Sequence, residues 1–331
     1  MTAIEPSAGP STSAQLARER LASVAQTYGA AIVLVVLLVV GSIAFPTFAS
    51  PGNFTNIATQ SSFLLIVGVG MTFVILTGGI DLSVGSVYAL GGVLAAYGSH
   101  FGVLGGLLLP LVVCGVIGSI QGLLVAYAHM APFIVTLAGL LGVRGLVLAT
   151  TNGGSATPLI TDAPLIAIGQ GGIGGLRWPV FIAVAAVIVG TIVLARSRGG
   201  LAVLAVGGSE SASVLMGVPV ARVKFGVYVV SGICAGLAGA LNAAYSSSGV
   251  PTVGVGLELS AISAVVIGGT LLVGGKGNLI GTVAGVLLLS VIQNLINQVG
   301  SLTSSVQAVV SGVFLGVVVI IQTVLSRTQR L

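Results

Sequence analysis

Apolar runs of about 20 residues, each long enough for an α-helix to cross a bilayer, follow one another along nearly the whole chain. A transmembrane β-strand would instead alternate polar and apolar residues over about 10 positions. Only 5% of the 331 residues are charged, whereas soluble domains carry about 25%. So few charges cannot cover a surface that faces water. The sequence therefore predicts an all-α polytopic membrane protein.

The apolar runs predict about ten transmembrane helices. The predicted spans are 28–48, 57–77, 82–99, 103–128, 132–150, 178–195, 223–246, 259–273, 279–299 and 305–325. The third span is short, which makes it a candidate broken or re-entrant segment. A proline, Pro110, predicts a kink inside the fourth.

The positive charges predict the orientation of these spans. With the N-terminus inside, nine of the eleven Lys and Arg residues fall in the two tails, after the sixth span or near residue 276. Positive charge concentrates on cytoplasmic loops of membrane proteins, so both termini are predicted to be cytoplasmic. The net charge of +5 then reports topology and does not indicate a nucleic-acid partner.

The predicted organisation is a single membrane domain between two short tails. The N-terminal tail, 1–27, and the C-terminal tail, 326–331, are predicted to be cytoplasmic. The transmembrane domain covers 28–325 and contains a cytoplasmic loop at 196–222.

A glycine-rich break between the second and third predicted spans places a carboxylate and hydroxyls among apolar neighbours. Its candidate site residues are Gly78, Gly79, Asp81, Ser83 and Gly85. In one interpretation Asp81 and Ser83 cap the third helix by accepting from free amides at its start. In the other the break packs at a moving interface or lines a solute path, where irregular backbone is tolerated at membrane depth. The two roles are compatible.

Neutral amides are candidates for lining such a path. Spacings of four residues place Gln293 with Asn297, and Asn294 with Gln298, on neighbouring stripes of the ninth span. Amides both donate and accept, which suits a polyhydroxylated solute, but hydrogen bonding between helices explains them equally well. Asn242 in the seventh span is a weaker candidate of the same kind.

Charged residues inside the spans need protein or water around them. For Arg144 a structural pair with another helix is favoured over contact with solute. Asp162 and Glu258 are assigned to the outside or an outer edge, which leaves Asp81 as the serious candidate for proton coupling. One acid without a nearby basic partner gives proton coupling weak support.

The cytoplasmic loop is predicted to contain a short helix. Ser209 is a plausible N-cap, and Gly217 followed by Pro219 ends the helix. Its apolar surface could fill a groove on a partner protein, or the helix could lie on the lipid surface. The residues assigned to this contact are Gly208, Ser209, Glu210, Ala212, Leu215, Met216 and Gly217.

The chain has no recognisable ATP site. A phosphate-binding loop needs G-x-x-x-x-G-K-[ST], and the nearest segment, 270–277, lacks the first glycine and the final hydroxyl. If ATP drives this protein, the ATPase is another chain. Motifs of hydrolases and metal sites are also missing from the sequence, so an enzyme is the least favoured class.

Three motifs resemble the signatures of ribose-type sugar ABC importer permeases. They are GMTFVILTGGIDLSVGS at 70–86, AVGGSESA at 205–212 continuing to MGV at 216–218, and AVVIGGT at 264–270 with GGKG at 274–277. The resemblance covers roughly 55–325, with the motifs in the family's order. Within the family, the sequence is most similar to one of the two permeases of galactofuranose importers.

The resemblance implies a set of partners. Two permease subunits, identical or homologous, would surround a central path in the bacterial cytoplasmic (inner) membrane. A sugar-binding protein would dock outside, and ATP-binding subunits inside would carry ATP and Mg, while this chain would bind no cofactor. Ser209 through Gly217 would be the coupling helix that contacts the ATPase. Ser209 stands where family members often carry Asn.

The predicted function is therefore a permease subunit that alternates access for a neutral monosaccharide and is powered by a separate ATPase. An ion-coupled secondary carrier or facilitator is the alternative. A membrane scaffold that binds partners without transport is a third possibility, which a sealed bundle with no polar path would favour.

Overall fold

The computed structural model describes residues 29–298, together with positions 306, 309, 312, 313 and 316. Both predicted tails lie outside the described residues, as does most of the predicted tenth span, 305–325.

Helices make up most of the described chain, and they are numbered here in chain order. They are α1 (Gly29–Ala44), α2 (Pro51–Leu76), α3 (Val84–Gly98), α4 (Gly102–Ala126), α5 (Pro132–Thr150), α6 (Ala163–Gln170), α7 (Trp178–Arg196), α8 (Arg198–Gly208), α9 (Glu210–Leu215), α10 (Val220–Ser246), α11 (Leu257–Ile267) and α12 (Leu279–Gln298). A 3₁₀ turn, Ser99–Phe101, joins α3 to α4. Two short strands, β1 (Gly172–Ile173) and β2 (Leu176–Arg177), precede α7.

Six helical runs among the described residues are long and apolar enough to cross a membrane, and α1, α8 and α11 are shorter apolar helices. The prediction of a polytopic helical membrane protein is confirmed. The count of ten spans and the orientation of the termini stay predictions.

The run from Val84 to Ala126 is 43 residues long, but it folds back on itself as two helices. Gly102 has a φ of +77° at the turn, a conformation that glycine adopts without steric cost. The two helices touch near the turn, where a Cβ on Gly98 would collide with the Gly105 carbonyl. Farther along, Cys114 of α4 lies 3.6 Å from the Val87 carbonyl of α3. α3 and α4 are therefore an antiparallel hairpin.

Helix α10 is the centre of the bundle and packs against α2, α3 and α4. Its glycines let neighbouring backbones approach closely: a Cβ on Gly232 would collide with the Cys114 carbonyl, and one on Gly239 with the Tyr88 carbonyl. Lipid offers no hydrophobic drive for helices to associate, so close packing of small residues supplies much of the attraction.

The predicted eighth span, 259–273, is wrong as a continuous helix. After α10 the chain leaves the helical conformation and runs beside α3, with Gly249 against Gly92 and Gly254 against Gly85. α11 then covers only 11 residues. The physical reason is local, because Gly254 has a φ of +78° and Gly269, after α11, a φ of +91°. Both values interrupt a right-handed helix.

The structure packs Glu258, which the sequence assigns to the outside or an outer edge, against α3. A Cβ added to Gly85 would collide with the Glu258 carboxylate, so this acid lies beside the second residue of α3. α3 has 15 residues and is about 22 Å long, which puts the carboxylate nearly that far from the turn that begins α4. Hydropathy assigned Glu258 to a loop end and could not register that the loop folds inward.

The segment between α5 and α7 closes one end of the bundle. Ile160 donates to the Ser247 carbonyl at 3.0 Å, and the Arg177 guanidinium lies 4.9 Å from the ring centre of Tyr245. Both contacts join this segment to the end of α10.

Candidate functional site

The three motifs that carry the family resemblance meet in space. The Gly275 amide, in the third motif, donates to the Leu76 carbonyl, in the first, at 2.9 Å. A Cβ on Gly207, in the second motif, would collide with that same carbonyl, and Gly274 lies against Gly78. We call Gly78, Gly207, Gly274 and Gly275 the glycine junction. No larger residue fits Gly207 without moving the backbone of α2.

The Asp81 carboxylate is buried, at 1% exposed, and each of its oxygens accepts hydrogen bonds. Oδ1 accepts from the Ser83 amide at 2.9 Å and from the Ser83 hydroxyl at 2.6 Å. Oδ2 accepts from the Ser231 hydroxyl of α10 at 2.7 Å. Asp81 thus caps the start of α3, whereas the Ser83 side chain makes no capping bond to the helix.

Two other helices hold the backbone of the break. The Ile80 carbonyl accepts from the Thr136 hydroxyl of α5 and from the Tyr228 hydroxyl of α10, both at 3.3 Å. The amide of Gln121 in α4 lies 3.2 Å from the Ser83 hydroxyl. Sequence reasoning missed these three partners and Ser231. Their only signal was a polar side chain inside an apolar run, which does not say what it faces.

The break lies well inside the bundle. Ser231 is three turns into α10, about 16 Å along the helix from Val220, and it contacts Asp81 directly. Non-helical backbone at such depth persists only where protein or water satisfies it. Here protein side chains do so: α5 and α10 each donate to the Ile80 carbonyl, and Asp81 accepts from the Ser83 amide.

The predicted short helix of the cytoplasmic loop is confirmed as α9. The Ser209 hydroxyl accepts from the Ala212 amide at 3.3 Å, and Gly217, with a φ of +76°, ends the helix. Leu215 is 89% exposed and Met216 70%. Helix α8, which leads into it, was not predicted. The coupling role of Gly208, Glu210 and the other loop residues stays a prediction.

An ion pair fixes α9 against α10. Lys224 Nζ lies 2.7 Å from Glu210 Oε2, and the pair separates two clefts. The first, of about 430 Å³, is lined by Gly78, Gly207 and Tyr228, among others. The second, of about 540 Å³, is lined by Tyr127, His129 and Val214, among others. The first cleft brings α9 and the glycine junction to one place.

The predicted path residues do not gather near Asp81. Asn294 exchanges two hydrogen bonds with Asn53 of α2, at 2.8 and 3.1 Å, which is the interhelical bonding considered as the alternative. Asn297 also has a partner. Gln293 is exposed and Asn242 half-buried. A path role for these four amides stays a prediction.

Arg144 has a structural pair of the kind favoured from its sequence. Its Nη1 donates to the carbonyls of Pro251 and Val253 at 2.9 and 3.0 Å. The partner is a loop and not another helix.

The fold and this site define a polytopic helical membrane protein in which a short helix, α9, lies beside a hydrogen-bonded break. The family described as "Branched-chain amino acid transport system / permease component" matches residues 53–323. The chain belongs to this permease family.

Several curated proteins are similar over most of their length. The ribose import permease protein RbsC of Bacillus subtilis is 38% identical over 300 residues, 90% of this chain and 93% of that protein. The inner membrane ABC transporter permease protein YjfF of Escherichia coli is 39% identical, over 84% of this chain and 86% of that protein. The L-arabinose ABC transporter permease protein AraH of Azospirillum brasilense is 35% identical, over 80% and 78%. No solved structure matches the chain.

Proposed function

We propose that this chain is the transmembrane permease subunit of a binding-protein-dependent ABC importer for a neutral monosaccharide. The observation that carries the proposal is the position of α9. Leu215 at its end and Met216 just after it are exposed, while Gly207, just before it, enters the glycine junction. The names of the ribose and L-arabinose permeases favour a sugar as solute. Galactofuranose remains one member of that class.

The contacts suggest how force on α9 would reach the membrane segments. The Glu210–Lys224 ion pair links α9 to α10. Gly207 links the end of α8 to the end of α2, and Asp81 links the start of α3 to Ser231. A partner that displaces α9 would therefore move α2, α3 and α10 together.

The partners follow from this role. A second permease, identical or homologous, completes the path in the bacterial inner membrane, and a sugar-binding protein docks outside. ATP and Mg bind to a separate cytoplasmic ATPase. The part of this chain that contacts the ATPase is α9. The name of the relative YjfF as an inner membrane ABC transporter permease supports this arrangement.

The ion-coupled carrier has less support. Both oxygens of Asp81 already accept hydrogen bonds from Ser83 and Ser231, and within the described residues no basic side chain pairs with it. Sugar uptake into vesicles driven by an ion gradient, without any ATPase, would favour the carrier over the importer.

The test is reconstitution of the chain with its ATPase, second permease and binding protein. Met216→Asp should reduce ATPase binding and ATP-driven uptake at least tenfold, because a charge replaces an exposed apolar anchor. Ile173→Asp is a matched control for ATPase binding, which it should leave unchanged, since this residue is 62% exposed but lies in the β1–β2 hairpin, away from α9. Unchanged binding and uptake with Met216→Asp would contradict the assignment.

A further inference from the structure

One face of the bundle carries two charged side chains that the proposed function does not use. Arg144 of α5 and Glu258 of α11 are both half-buried, and the Glu258 charge acts on Arg144. Close to Glu258 in the sequence, Val255 is 81% exposed and Leu259 53%. We call these four residues the α5–α11 face.

Arg144 lies inside a helix long enough to span the membrane, and Glu258 lies beside another such run. Arg144 is more than three turns from the start of α5 and under two from its end, about 18 and 9 Å. The levels of α3 and α5 are related because the Ser86 hydroxyl donates to the Leu140 carbonyl at 2.8 Å. Arg144 follows Leu140 by one helical turn, so it lies about one turn from the level of Ser86. Glu258 lies beside Gly85, the residue before Ser86, and is therefore close to the same level.

Lipid is an unsuitable neighbour for this face. A charged side chain in the middle of a span costs a few kcal/mol or more against lipid. The backbone between α10 and α11 is non-helical where it passes Gly92 and Gly85, and irregular backbone at this depth requires protein or water beside it. The backbone has α3 beside it, so the two charges are the feature that calls for a polar environment on this face.

We propose that the α5–α11 face lines the translocation path, and that Arg144 and Glu258 bind hydroxyl groups of the monosaccharide as it passes. This inference rests on the proposed function, since it names the part of the permease that meets the sugar.

The chemistry of the face suits a sugar. Arg144 uses Nη1 on the Pro251 and Val253 carbonyls, and within the described residues its other N–H groups and the Glu258 carboxylate have no hydrogen-bond partner. A sugar hydroxyl can accept from the guanidinium and donate to the carboxylate. The exposed Val255 and Leu259 side chains offer apolar contact to the C–H groups of the ring.

The first test asks whether water reaches the face. In the complete complex, Val255→Cys and Val112→Cys are treated with an anionic thiosulfonate reagent that does not enter lipid. Val112 is a matched control because it is 61% exposed near the middle of α4, and unmodified protein gives the background from Cys114 and Cys234. Val255→Cys should react at least tenfold faster than Val112→Cys. Equal, background-level labelling of both would overturn the path assignment.

The second test asks whether Glu258 contacts the sugar. D-ribose, L-arabinose and D-galactose are tried as transported probes. Glu258→Gln keeps the shape and removes the charge, so uptake should fall at least fivefold while ATP hydrolysis stimulated by the loaded binding protein is retained. The Asp162→Asn variant carries an equivalent change at the N-cap of α6. It should take up sugar as fast as the unmodified protein. Normal uptake by Glu258→Gln, or loss of folded protein in that variant, would overturn the sugar contact.

The outcomes separate the two proposals. If unmodified protein transports no neutral monosaccharide with ATP, galactofuranose included, the proposed function fails, and the labelling experiment still reports on the face. If it transports a sugar while Val255→Cys remains unreactive, only the α5–α11 assignment fails.

Discussion

The Asp81 carboxylate accepts a hydrogen bond of 2.7 Å from the hydroxyl of Ser231, a residue 150 positions away in the sequence. This contact ties the start of α3 to the middle of α10. Together with the Ser83 amide, it makes the acid both a helix cap and a link between helices. One carboxylate thus serves both the start of α3 and its packing on α10, while a role of Asp81 in transport stays a prediction.

Asp81→Asn should lower transport more than it lowers expression. An amide has one accepting oxygen in place of two, so the Ser231 hydroxyl must change from donor to acceptor, and the charge that strengthens both hydrogen bonds is removed. Uptake per folded complex and thermal unfolding are the measurements. Equal losses of uptake and of folded protein would leave Asp81 with only a capping role.

Ser231→Ala should destabilise the subunit, because it leaves Asp81 Oδ2 without its donor, at about 1–3 kcal/mol. The unfolding temperature in detergent checks this. Ser246→Ala is the control, since that exposed hydroxyl bonds only to nearby carbonyls of Asn242, Ala243 and Ser248. A matching shift in both variants would count against the special role of Ser231.

Gly207→Ala should uncouple ATP hydrolysis from transport. The added Cβ would collide with the Leu76 carbonyl, so the ends of α8 and α2 must separate. Gly226→Ala is the matched control in α10, where a Cβ meets nothing within 4 Å and alanine favours the helix by about 1 kcal/mol. Uptake per ATP hydrolysed is the measurement, and the same ratio in both variants would contradict the prediction.

Glu210→Lys should weaken transport, because it places two positive charges where α9 meets α10. The double variant Glu210→Lys with Lys224→Glu restores an opposite-charge pair and should recover much of the loss. The pair is partly exposed, with side-chain exposures of 55% and 22%, so its contribution to stability is small, about 1 kcal/mol or less. Transport by the double variant no better than by the single one would show that the pair does not link the helices.

Asn294→Leu should reduce stability without changing which sugar is preferred. Its amide bonds to Asn53, and removing it leaves that half-buried partner unsatisfied, at about 1 kcal/mol. Competition between D-ribose and L-arabinose for uptake is the measurement. A changed preference would place Asn294 on the sugar path and restore the interpretation that its spacing first suggested.

Sequence alone determined the membrane class, most helix positions and the short helix capped by Ser209. Those features depend on hydropathy, helix length and local capping, and residues that are close together in the sequence determine all three. Three glycine motifs could also be recognised, but their meeting at one junction could not, because the Gly207–Leu76 contact joins distant segments.

The tertiary structure decided what the polar residues face. Gln121, Thr136, Tyr228 and Ser231 look alike as isolated polar residues in apolar runs, yet helix packing turns all four toward the break. The same packing carries Glu258 from a presumed outer edge to the side of Gly85. Gly254 and Gly269, with positive φ, confine α11 to a short helix, and packing of the preceding loop against α3 sets the position of Glu258, which no local pattern encodes.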